Sequence, residues 1–112
     1  MKKIYPVRSL CGNEDGEYVL GHHDLDTHAC YLIYGELGPG ETGRKACPGH
    51  GHEEILLAVS GDIEVRSGDD KLLLGEGEAV HLVEDETFYL DNPGGSRAVY
   101  VMAGGHSGKD HH

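Results

Sequence analysis

An all-β sandwich or barrel with little or no helix is the fold class this sequence predicts, on three observations. Short apolar runs recur at residues 18–20, 29–34, 55–59, 63–65, 72–74, 79–83, 88–90 and 98–102, with Gly, Asp, Asn and Pro between them. Strands at that pitch build sandwiches and barrels. Eighteen glycines, no tryptophan and one phenylalanine describe a chain that turns often. No window keeps apolar residues at i, i+3, i+4 and i+7 beyond two turns, so helix is expected to be scarce.

Taken in order, the 18–20 run leads into a polar stretch, His22-His23-Asp24 to His28. Its Asp24, Asp26 and Thr27 read as an exposed turn, with His28 reaching toward the barrel rim. Gly38-Pro39-Gly40 ends the next strand and starts a loop of about ten residues leading to His50, a length typical of functional rims. The 55–59 run is too short for a helix and apolar enough for a buried strand. Ser67-Gly68-Asp69-Asp70 reads as a tight hairpin between the 63–65 and 72–74 runs. In the 79–83 run Val80 and Leu82 are expected inward, which leaves His81 facing solvent or a subunit interface. From Gly104 to His112 the chain is polar and glycine-rich, so a flexible His/Gly-rich tail (104–112) is expected beyond a single domain (1–103).

The 112 residues suit one domain. Twenty acidic against nine basic side chains give a net charge of −11, which favours solubility and repels nucleic acid and anionic membrane. No stretch reaches the length of a membrane span and the start lacks a signal-peptide core, so the expected compartment is the cytoplasm. Cys11, Cys30 and Cys47 are odd in number and show no C-x-x-C spacing, which argues against a disulfide framework. Cys11 and Cys30 are expected to be buried free thiols.

The sharpest chemical signal lies in residues 47–65, C-P-G-H-G-H-E-E-I-L-L-A-V-S-G-D-I-E-V. His50, His52 and Glu54 are spaced two apart, so on an extended strand all three point to one face. Two imidazoles and a carboxylate on one face can hold a divalent metal and leave positions open for substrate or oxygen. Tyr31, Tyr34, Tyr89 and Tyr100 fall on expected strands, where those of one parity would line a cavity or pack in the core.

These residues resemble the cupin superfamily, whose first motif reads G-(x)5-H-x-H-(x)3,4-E-(x)6-G. Glu54 followed by six residues and Gly61 fits its second half. The second motif, G-(x)5-P-x-G-(x)2-H-(x)3-N, resembles the stretch from Gly77 through Phe88 to Asn92. Fifteen residues separate Gly61 from Gly77, and the likeness covers roughly residues 30 to 102. It implies a small jelly-roll β-barrel. In this register His50 takes the second histidine position, Pro48 the first, and Phe88 the histidine of the second motif. Three replacements stay open: His50 and His52 slipping into the H-x-H role, a Cys47 thiolate favouring zinc, or His81 from a neighbouring strand. Phe88, standing where a ligand would, is expected to narrow a cavity shared with Tyr31.

The expected function is therefore a small cupin binding a divalent ion (Zn, Fe, Ni or Mn) through His50, His52 and Glu54, acting on a small organic molecule. Such binding weakens below about pH 6 as imidazole protonates. The alternative is a metal-free small-molecule binding or sensory cupin. A homodimer is the expected assembly.

Overall fold

Alternation along the strands decides which side chains enter the interior. The computed structural model describes residues 2–83 and 85–106. Its elements are α1 (Val7–Gly12), β1 (Glu17–Leu20), α2 (His22–Leu25), β2 (Cys30–Leu37), β3 (Arg44–Ala46) and β4 (His52–Ser60), then β5 (Ile63–Ser67), β6 (Asp70–Leu74), β7 (Ala79–Leu82), β8 (Phe88–Asp91) and β9 (Ala98–His106). On β4, Glu54, Leu56 and Ala58 are buried while Ile55, Leu57 and Val59 face out. On β9 the same period buries Ala98, Tyr100 and Met102. That period of two makes one face of each strand the core.

The strands form two antiparallel sheets, β1-β2-β9-β4-β7 and β3-β8-β5-β6, packed as a jelly-roll sandwich. Leu56, Met102 and Leu82 from the first sheet meet Ile63, Val65, Phe88 and Leu90 from the second in one core. The β5–β6 hairpin closes at Gly68-Asp69, with Ser67 opposite Asp70 and Gly68 at φ +60°. Each of the eight apolar runs coincides with a strand, only Ala29 and Val83 falling one residue outside. The rim loop is interrupted by the three-residue β3, which pairs with β8.

Two helices add to the expected β elements, and both are too short to show a 3.6-residue period. α1 buries Cys11. α2 is a single turn held against β1, where the Tyr18 hydroxyl donates to Asp24 Oδ2 at 2.8 Å and the Tyr5 hydroxyl to the Asp24 carbonyl at 3.1 Å. Gly104, Gly105 and His106, expected in the tail, instead continue β9 opposite Tyr31, Cys30 and His52, because their backbone pairs with β2 and β4. Residues 107–112, where the rest of the flexible tail is expected, lie outside the described residues. Cys11, Cys30 and Cys47 are free thiols, and Cys30 is exposed rather than buried because its strand position points away from the core.

Buried polar groups tie the sheets together. Asn92, only 2% exposed, donates from Nδ2 to the carbonyls of Leu37, Gly38 and Ser96 and accepts from the Gly94 amide. The asparagine of the second motif is thus a loop brace. Asp91 accepts two hydrogen bonds from Arg66, at 2.6 and 3.0 Å, and one from the Gly43 amide. Those bonds hold its carboxyl below the usual carboxylate range.

Two tyrosines lie directly across glycines on the β2–β9 pair: Tyr100 opposite Gly35, and Tyr31 opposite Gly104. A Cβ on Gly35 would fall 2.1 Å from Tyr100 Cζ, and one on Gly104 would fall 2.3 Å from Tyr31 Cζ. Gly35→Ala is expected to destabilise the protein by about 3 kcal/mol, because the fully enclosed Tyr100 ring has nowhere to go. Gly104→Ala is expected to cost only about 1 kcal/mol, because Tyr31 borders open space and can swing away. Urea unfolding of the two variants checks the order.

Candidate functional site

At one end of the first sheet the inner face stops being apolar. β2 contributes Tyr31, β4 contributes His52 and Glu54, and the paired position on β9 is Gly104. The missing side chain at Gly104 lets the Tyr31 ring lie across β9 and deliver its hydroxyl to Glu54 Oε2 at 2.7 Å. Glu54 is 4% exposed. Tyr31, His22, His28, His52 and Glu54 border a cavity of about 310 Å³, walled on its apolar side by Val19, Ile33 and Pro48.

Aromatic rings line this mouth in a chain. His22 stacks on His28 at 4.0 Å between centroids, and His28 approaches His106 at 6.5 Å. His106 meets His52 edge-on at 5.2 Å, and His52 lies 5.5 Å from Tyr31. The α2 turn that carries His22 is fixed by the tyrosine bonds to Asp24. The stretch expected to be an exposed turn therefore supplies a wall of the cavity. Nothing local in the sequence marks this, since it depends on where α2 packs.

Burial raises the carboxyl of Glu54 above its ordinary value; the Tyr31 hydrogen bond lowers it, the charge of Glu17 raises it, and His52 lowers it. Burial and the bond to Glu54 also push the Tyr31 hydroxyl up, so it stays protonated and remains a donor. Glu54 receives one hydrogen bond, on Oε2; among the described residues its other oxygen has no protein donor, and the residue borders the cavity. A carboxylate has about four acceptor sites, and a buried one left mostly bare is costly.

The expected metal set is only partly assembled. His52 and Glu54 share the inner face. His50 does not join them, because β4 begins at His52 and His50 is exposed in a turn between Gly49 (φ +85°) and Gly51 (φ +78°). The left-handed Gly51 breaks the extended backbone that the spacing of two requires. Cys47 is exposed, with its sulfur accepting from Thr87 Oγ1 at 3.9 Å. His81 faces outward, as its strand parity predicts, opposite Ile55 and with Nε2 2.7 Å from Glu53 Oε1; it is on the wrong face to join Glu54. Phe88 packs in the core and does not border the mouth cavity, so of the two residues expected there only Tyr31 is present.

The donor set does not fit the four-ligand centre that the motif likeness implies. Pro48 and Phe88 offer no lone pair at two of its positions, and among the described residues no three His, Cys, Asp or Glu side chains stand close enough to hold one ion. In the same register Asp85, at φ +66°, occupies a glycine position of the second motif and keeps the left-handed backbone glycine would adopt.

Glu54 carries a sign that can be tested. A carboxyl whose value is raised on folding costs stability above that value, and the cost fades as pH falls through it. Glu54→Gln is therefore expected to stabilise the ligand-free protein at pH 8, on the order of 1 kcal/mol. The advantage should shrink toward pH 4. Thermal unfolding of both proteins across this range checks it, and an advantage that grows in acid would contradict the assignment.

No protein-family model matches the sequence, and no curated protein sequence matches it. Solved structures do match in fold. A Cupin 2 conserved barrel domain protein from Salinispora arenicola is similar at TM-score 0.72 and 16% identity, over 96% of this chain and 91% of that one. A cupin protein from Bacteroides fragilis is similar at TM-score 0.70 and 15% identity, over 96% and 84%. The Schizosaccharomyces pombe Cnp3 cupin domain is similar at TM-score 0.63 and 10% identity, over 70% of this chain, which spans 54% of that one. The chain has the cupin superfamily fold. Among the described residues no helix is long and apolar enough to cross a membrane.

Proposed function

We propose that this cupin-fold chain binds a small organic molecule in the cavity between α2 and the inner face of the first sheet. Glu54, Tyr31 and His52 supply the polar contacts. The observation that carries this reading is the buried Glu54, which borders a 310 Å³ cavity with one oxygen fixed by Tyr31 and no protein donor to the other among the described residues. Mostly apolar walls with a few convergent polar groups are the usual make-up of a ligand site. A metabolite panel screened by thermal shift is expected to yield a compound that raises the melting temperature by several degrees in the presence of a chelator. Glu54→Gln should lose at least tenfold in affinity for that compound.

A second reading, a divalent ion held by His52 and Glu54 with a rim imidazole, is supported by the chain of rings from His22 to His52. It needs a rim histidine to swing inward, since the imidazoles now stack on one another. Metal analysis after refolding in zinc, iron, nickel and manganese separates the readings. A full equivalent retained by wild type and lost in His52→Ala supports the ion.

We also propose a homodimer through the outer face of the first sheet. Ile55, Leu57 and Val59 are 53%, 36% and 46% exposed where a sheet facing water would carry polar residues. Beside them a shallow groove of about 600 Å³ is rimmed by Glu53 and His81. Those two groups, of opposite sign once His81 is protonated, would meet their counterparts across a two-fold axis, as a self-complementary interface requires. Sedimentation is expected to give twice the 12.1 kDa chain mass, and Ile55→Asp with Leu57→Asp the mass of one chain.

A further inference from the structure

The interior of this barrel uses one arrangement twice and completes it once. Tyr100 lies over Gly35 and donates to Glu17, and Tyr31 lies over Gly104 and donates to Glu54. At the first pair a cation is present: Arg44 Nη1 stands 3.3 Å from the Tyr100 hydroxyl and 2.8 Å from the Gly16 carbonyl. At the second pair none is found among the described residues. Among them no lysine or arginine borders the cavity, and the basic groups that do are the imidazoles of His22, His28 and His52.

We infer that the ligand itself supplies the missing cation: the Glu54 cavity takes a small organic ammonium bearing at least one N–H, which donates to the bare oxygen of Glu54. This rests on the small-molecule reading above and names its chemical class. A charged donor opposite a desolvated carboxylate makes a short, strong hydrogen bond and removes the cost of the lone buried charge. Tyr31 occupies a site on Oε2, which leaves the other oxygen for a donor. An anionic ligand is disfavoured, since among the described residues no lysine or arginine borders the cavity and the charge of Glu17 adds to that of Glu54. The chain's net charge of −11 acts the same way at long range. The size suits a compact molecule, with Val19, Ile33 and Pro48 receiving its carbon part.

The test titrates the full chain at pH 8 with n-butylammonium, n-butanol, butyrate, tetramethylammonium and zinc chloride, each followed by amide chemical shifts of Tyr31, His52 and Gly104. Butylammonium is expected to bind at least tenfold more tightly than n-butanol, which has the same shape without the charge. Glu54→Gln should abolish that preference, and Tyr31→Phe, which leaves the carboxylate in place, should preserve it. Butanol or butyrate binding as well as the amine would overturn the class and leave the cavity's role standing. Tetramethylammonium matching butylammonium would overturn the N–H contact. Shifts from zinc alone would overturn the class in favour of the metal reading. Silence from every probe, together with silence from the metabolite panel, would overturn both this inference and the reading beneath it.

Discussion

Much of this interior depends on two tyrosine rings lying across two glycines. On the β2–β9 pair, Gly35 faces Tyr100 and Tyr31 faces Gly104, four residues apart on the same inner face. A glycine in a strand weakens it on entropic grounds, and an aromatic ring laid across the gap restores the lost contact. The ring can then extend sideways over the neighbouring strand. Its hydroxyl reaches a carboxylate one strand further on: the half-buried Glu17 on β1 in one case, the buried Glu54 on β4 in the other. The glycines thus decide where the polar groups of the interior lie, although they carry no chemistry themselves.

The two ends of the barrel diverge from that common start. Around Tyr100 the network runs through Arg44 to Glu41 at 2.7 Å and to the Gly16 carbonyl, and the space is filled. Around Tyr31 the neighbours are imidazoles on a short turn and on strand ends, with a cavity between them. Filled packing with every polar group satisfied is a structural solution. A buried carboxylate with one hydrogen-bond donor beside a cavity is unfinished in the same terms. The same contrast explains why the motif positions are a poor guide here. Asn92 serves as a brace, Phe88 as core, and Glu54 as an acceptor for a phenol.

Much of the fold was legible in the residues because it is carried by local pattern. Val80 and Leu82 turn inward and His81 outward by parity alone, and Gly68-Asp69 marks its hairpin. The parts that escaped are short or long-range. α2 has four residues, too few for a period, and β3 has one apolar residue in three. His50 failed because one left-handed glycine undoes a strand, and Gly51 gives no sign in sequence that it will adopt φ +78° rather than extend. The Tyr31–Glu54 pair needed the register of three strands. A signal for it did exist: a glycine in a strand marks a close approach, and Gly35 and Gly104 stand just past the 29–34 and 98–102 runs.

The placement of the cavity follows from the same constraint. If Gly104 carried a side chain, Tyr31 would be displaced and Glu54 would lose its one donor. The carboxylate would then be both buried and bare, a state whose cost favours the neutral acid. The residue without a side chain therefore sets the hydrogen bonding of the buried carboxyl. That coupling runs from backbone, through ring packing, to the chemistry of the cavity.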